Sequence, residues 1–90
     1  MRPENVISPQ QRLRNLAVVY SDPQDGWSVA TMEYEHEGVW SDRVGIRWNG
    51  DTDQSLGHPQ VSGNSVWFLL PENLLAELVL TYARWCAANQ

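Results

Sequence analysis

Leu16, Val18 and Tyr20 alternate with smaller or polar residues from Asn15 to Asp22, and a period of two is the period of a β-strand. Asp22-Pro23-Gln24-Asp25-Gly26 then reads as a hairpin turn. Proline presets one dihedral, and glycine after aspartate accepts the positive φ that closes the loop. A second strand is predicted over Trp27 to Glu37. Its even positions are Ala30, Met32, Tyr34 and His36, and its odd positions are Trp27, Val29, Thr31, Glu33, Glu35 and Glu37, so the even face is the better core candidate. After a turn over 38–42, a third strand to Trp48 puts Val44, Ile46 and Trp48 on one face and Arg43, Gly45 and Arg47 on the other. Setting Val44 and Ile46 beside Met32 and Tyr34 brings Arg43 and Arg47 beside Glu33 and Glu35, because faces alternate strictly in both strands.

Residues 49–64 contain Gly57, Pro59 and Gly63 with little periodicity and are expected to form a long loop. Ser65 to Leu70 is apolar on both faces, as in a covered fourth strand, and Pro71 ends it. From Pro71 to about Ala88 good helix formers place Leu75, Val79, Tyr82 and Cys86 on one stripe, widened by Leu74, Leu78 and Trp85. Residues 1–7 read as a loose terminus, and Ser8-Pro9-Gln10-Gln11 carries the elements of a capping box for one short helical turn. The expected fold is α+β in one domain, 1–90: an antiparallel β-meander of about four strands over residues 15–70, with a C-terminal helix, 71–88, packed on one face.

Composition narrows the partners. Hydrophobic residues make up 42% of the chain and charged residues 19%, which suits a folded body. The net charge of −5 argues against direct binding to nucleic acid, which is driven by Lys and Arg displacing counterions from phosphates. The lone Cys86 and the absence of a basic, then apolar, opening segment predict a cytoplasmic location, and no apolar stretch is long enough to span a bilayer. Five tryptophans, Trp27, Trp40, Trp48, Trp67 and Trp85, exceed what a small core needs, and tryptophan is enriched at binding surfaces.

No catalytic set is legible. Cys86 falls on the expected core side of the helix, and the histidines, His36 and His58, lie elsewhere, so a cysteine nucleophile has no base. Glu33, Glu35 and Glu37 share one strand face and lack the differing environments that an acid/base pair requires. Asp51-Thr52-Asp53-Gln54-Ser55 begins like a calcium loop, but Leu56 replaces the required glycine and Ser62 the bidentate glutamate; His58 beside Asp51 and Asp53 does not complete a ligand set. No metal and no cofactor are expected.

Gly45-Ile46-Arg47-Trp48-Asn49-Gly50, Gly57-His58-Pro59-Gln60 and Trp67-Phe68-Leu69-Leu70-Pro71 resemble segments of a group of short uncharacterised bacterial proteins often associated with phages, plasmids or integrated elements. The resemblance spans roughly residues 27 to 75. It implies a fold and a genomic setting with no activity to carry over, and Val61-Ser62-Gly63 stands where that group has serine-arginine-glycine. The leading expectation is a non-enzymatic protein–protein interaction module whose partner site is Trp27, Glu33, Glu35 and Trp40. One alternative is a phage or mobile-element inhibitor that imitates nucleic acid toward a host defence complex, since glutamates two apart on a strand stand roughly 6.6 Å apart. Another is a small hydrolase or metal-dependent enzyme. The surplus apolar surface of the helix also allows a homodimer through Leu74, Leu78, Leu80 and Trp85.

Overall fold

The computed structural model describes all 90 residues. Three long strands, β1 (Leu13–Ser21), β2 (Trp27–His36) and β3 (Val39–Trp48), are followed by short pieces β4 (Gln60–Val61), β5 (Asn64–Ser65) and β6 (Phe68–Leu69) and by the helix α1 (Leu74–Ala88). The main sheet is antiparallel in the order β1-β2-β3-β6, with α1 packed on it, an α+β fold.

The turns set this sheet. At the first, the Asp22 carboxylate accepts the backbone N–H groups of Gln24 and Asp25 at 2.8 and 2.9 Å, and Gly26 takes a φ of 74°. At the second, Glu37 and Gly38 both have positive φ, 52° and 81°, the signature of a two-residue hairpin loop. That loop pairs His36 with Val39 and carries the register back to Trp27 opposite Trp48. Val44 and Ile46 therefore stand opposite Thr31 and Val29, while Arg43 and Arg47 stand opposite Met32 and Ser28. The expected pairing is thus corrected by one residue, which moves each of these side chains to the other face. Trp40, expected in a turn, lies in β3 opposite Glu35.

The even face of β2 is the core. Ala30 and Met32 are buried with Leu13, Val6 and Trp67, and Tyr34, Leu16 and Val18 pack around them. The N-terminal residues complete this layer instead of trailing loosely: Pro3–Asn5 forms a 3₁₀ turn, Val6 is buried, and its carbonyl accepts the Trp67 indole N–H at 2.8 Å. Gly45 makes room for Trp67, because a Cβ there would stand 3.0 Å from the Trp67 Cβ and 2.8 Å from the Met32 methyl. The Ser8-Pro9-Gln10-Gln11 segment forms a turn closed by the Arg12 N–H on the Pro9 carbonyl, not a helix. Strand β1 carries two irregularities, one at Asn15, whose φ is 56°, and one between Val18 and Tyr20. The second breaks the strict alternation and delivers Tyr20 to the odd face, with its ring 5.1 Å from that of Trp27.

Residues 49–64 are more ordered than a long loop. Trp48 bridges to His58, and β4 pairs with β5 around Ser62 and Gly63. Arg47 fixes the segment from below. Only 3% exposed, its guanidinium donates to the Asn49 side chain at 2.9 Å, to the Val66 carbonyl at 2.5 Å and to the Leu56 carbonyl. Gly57 is required here, since a Cβ would run into the Trp48 carbonyl and this guanidinium at a φ of 66°. The fourth strand of the main sheet shrinks to β6, which pairs Leu69 with Gly45 and Phe68 with Ile46.

Helix α1 starts one turn later than Pro71. Asn73 is its N-cap, and its side chain accepts the Leu75 N–H at 2.9 Å. Only Ala83 is fully buried against the sheet, flanked by the half-buried Ala76, Val79, Leu80 and Cys86. The expected stripe is corrected accordingly: Leu75 and Tyr82 leave the core, and Leu80 joins the sheet side, beside Thr31 and Val44.

Candidate functional site

The odd face of the sheet divides into two halves of different chemistry. At the end far from the first turn, Trp40, Glu33 and Glu35 are joined by two arginines of the β1 edge. Arg14 Nε donates to Glu33 at 3.1 Å, and its guanidinium lies 3.9 Å above the Trp40 ring. Asn15 also donates to Glu33, and Arg12 lies 3.6 Å from Glu35, which accepts the Gly38 N–H. The glutamates are therefore paired with Arg12 and Arg14 and not with Arg43 and Arg47, as the corrected register requires. Arg43 instead donates to the Leu70 carbonyl and lies 3.4 Å from Glu72, tying β3 to the approach to α1. The hydrogen bonds from Asn15 and then Arg14 hold the Glu33 carboxyl below its ordinary value.

The other half is apolar. Trp27 lies under the helix: its indole N–H donates to the Asp22 carboxylate at 3.1 Å, and its ring stacks on Tyr82 with centroids 6.2 Å apart. Tyr82 stacks in turn on Trp85 at 6.2 Å. Tyr20, Trp27, Tyr82 and Trp85 so form a ladder of rings running from the sheet out to solvent. Beside it an open cleft of about 650 Å³ is lined by Trp27, Val29, Ile46, Phe68, Val79 and Tyr82. On the outer side of α1, Leu74, Leu78 and Trp85 are 66%, 58% and 60% exposed, Leu75 and Tyr82 are comparably open, and so is Phe68 of the neighbouring β6. Trp48 and Trp85 both belong to the surface; Trp48 stacks on His58 and donates to the Asp25 carbonyl.

The four sequence-predicted site residues share one face, but they do not form one patch. Glu33, Glu35 and Trp40 sit together with Arg12 and Arg14, whereas Trp27 belongs to the aromatic ladder. The apolar stripe of the helix is equally assignable to a core, so its outer face does not stand out in the sequence. Tyr82 and Trp85, three apart, were legible as neighbours on a helix; Trp27 joining them was not. A second cleft of about 620 Å³, lined by Ser8, Gln11, Tyr34, Asn64 and Leu69 among others, is mixed in character and lies on the other face.

Side chains able to do chemistry are dispersed. No three of His, Cys, Asp and Glu converge at metal-binding distance. Asp22 is held below its ordinary value by the backbone N–H groups of Asp25 and Gln24, a turn-capping role. The Tyr82 hydroxyl is pushed up by its hydrogen bond to Cys86, and Tyr20 by burial and then by Asp22, so both phenols stay neutral at physiological pH. No helix is long and apolar enough to cross a membrane. Comparison of the chain with protein-family models, with curated proteins and with solved structures gave no match.

Proposed function

We propose that this protein is a non-enzymatic protein–protein interaction module that acts through the outer face of α1 and the apolar cleft beside it. One observation carries this reading: Leu74, Leu75, Leu78, Tyr82 and Trp85 are each about half or more exposed on a single helix. A contiguous apolar surface of several hundred Å² is uncommon on a monomer, where it costs solubility, and it is the usual core of an interface. Tryptophan and tyrosine anchor such cores. The lone, half-buried Cys86 suits a reducing cytoplasm.

Of the expected partner site, Trp27, Glu33, Glu35 and Trp40, the part made by Glu33, Glu35 and Trp40 supports this function less. Its glutamates are compensated by Arg12 and Arg14, and Trp40 already lies beneath the Arg14 guanidinium. The narrower reading, a mobile-element inhibitor imitating nucleic acid, draws on the net charge of −5 and on the resemblance of segments 45–50 and 67–71, and these arginines weigh against it.

Affinity capture from a cell lysate separates the surfaces. Immobilised wild-type protein should retain a binding protein, free copies of the chain included, that Leu78→Glu loses and Trp40→Ala keeps, with both variants folded by circular dichroism. Loss with Trp40→Ala alone would move the site to the arginine and glutamate patch.

A further inference from the structure

We infer that the partner of the α1 face is a second copy of this chain, the two helices pairing antiparallel about a two-fold axis near Thr81; this names the partner in the function proposed above and rests on it. The first ground is area. Leu74, Leu75, Leu78, Tyr82, Trp85 and Phe68 leave open roughly 700 Å² when each large side chain is taken as about 200 Å². A stable interface of ordinary size takes about 800 Å² from each partner, so a single isologous contact would cover the patch.

The second ground is charge. Two chains of net charge −5 repel, and contact is least unfavourable where each is neutral. Between Leu74 and Ala88 the only charges are Glu77 and Arg84. Neither forms an ion pair within the chain. They lie seven residues apart, so both stand on one edge of the helix, beside the Leu74, Leu78 and Trp85 stripe. When two helices pair antiparallel, like edges meet. Glu77 then faces the partner's Arg84, and the pair repeats across the axis; Trp85 of each copy sits against Leu74 and Leu78 of the other. A parallel pair would set this edge against the opposite, apolar one and leave both charges without partners.

Sedimentation equilibrium of the wild-type chain from micromolar to millimolar concentration should give a mass twice 10.3 kDa. Leu78→Glu, at an exposed position, should keep the fold and raise the dimer dissociation constant about tenfold or more. Glu77→Arg and Arg84→Glu should each weaken the dimer by about threefold to tenfold, and the double variant should return to near wild type, since it restores opposite charges across the axis. Failure of the double variant to recover overturns the antiparallel arrangement. A wild-type mass of 10.3 kDa throughout the range overturns the dimer. In that case, a lysate protein lost on Leu78→Glu leaves the interaction-module reading standing, and indifference of both mass and capture to Leu78→Glu removes both.

Discussion

Arg47 holds a charge where no carboxylate reaches it. Carbonyls of Leu56, Trp48 and Val66 and the Asn49 side chain surround its guanidinium, and burial pulls its pKa below the ordinary value. Five N–H donors in a planar fork reach all four acceptors at once, whereas an ammonium offers three donors from a single nitrogen. Arg47→Lys should therefore cost about 2 to 4 kcal/mol in urea denaturation, from lost charge-assisted bonds and carbonyls left unpaired; a loss within experimental error would mean that the 49–66 segment is held by its backbone pairing alone. Acid acts on Asp22 and Glu33. Both carboxyls titrate below their ordinary values of 3.8 and 4.5 in the fold, so the unfolded chain binds more protons across that range. Stability should be full above about pH 5 and fall as pH drops below 4.5, with Glu33→Gln flattening the upper part of the fall, as followed by thermal melts across pH.

Within α1 the two sides obey different rules. Ala83 meets the sheet with no space to spare, so Ala83→Leu should push the helix outward and lower stability by about 1 to 3 kcal/mol by urea denaturation. An unchanged midpoint would place the helix more loosely on the sheet than the burial of Ala83 implies. Asn73→Ala removes the cap on the Leu75 N–H and should cost about 1 kcal/mol. The apolar arc of this helix was legible in sequence, since Leu74, Leu78 and Trp85 recur at helical spacing. Which part of the arc meets the sheet was not, because 3.6-residue periodicity marks apolar positions without saying what covers them.

At the scale of the molecule the sheet is covered on one side by the N-terminal turn and Trp67 and on the other, in part, by α1. Met32 lies in the first layer and is 3% exposed. Met32→Ala should cost about 2 to 5 kcal/mol in urea melts; a loss well under 1 kcal/mol would show that the even face relaxes around the void. The β1 edge and the helix face meet water on different terms. Arginines and glutamates satisfy the first without a partner, whereas the second leaves leucines, Tyr82 and Trp85 in water, and the interaction proposed for this chain follows from that imbalance.

Period two over Leu16 to Tyr20 and Trp27 to Glu37, the Asp22 to Gly26 turn and the long C-terminal run of helix formers determined an α+β meander with one helix, because these signals are local. Tertiary structure decided the rest. A two-residue loop at Glu37-Gly38 shifted the pairing by one and so chose the faces of Val44, Ile46, Arg43 and Arg47, and the break at Val18 sent Tyr20 across the sheet. The same geometry gave Glu33 and Glu35 to Arg14 and Arg12, brought Trp27 beneath Tyr82, and left Trp85 outside. Side-chain partners over such separations depend on register and on helix rotation, and neither is written in the spacing of residues along a single segment.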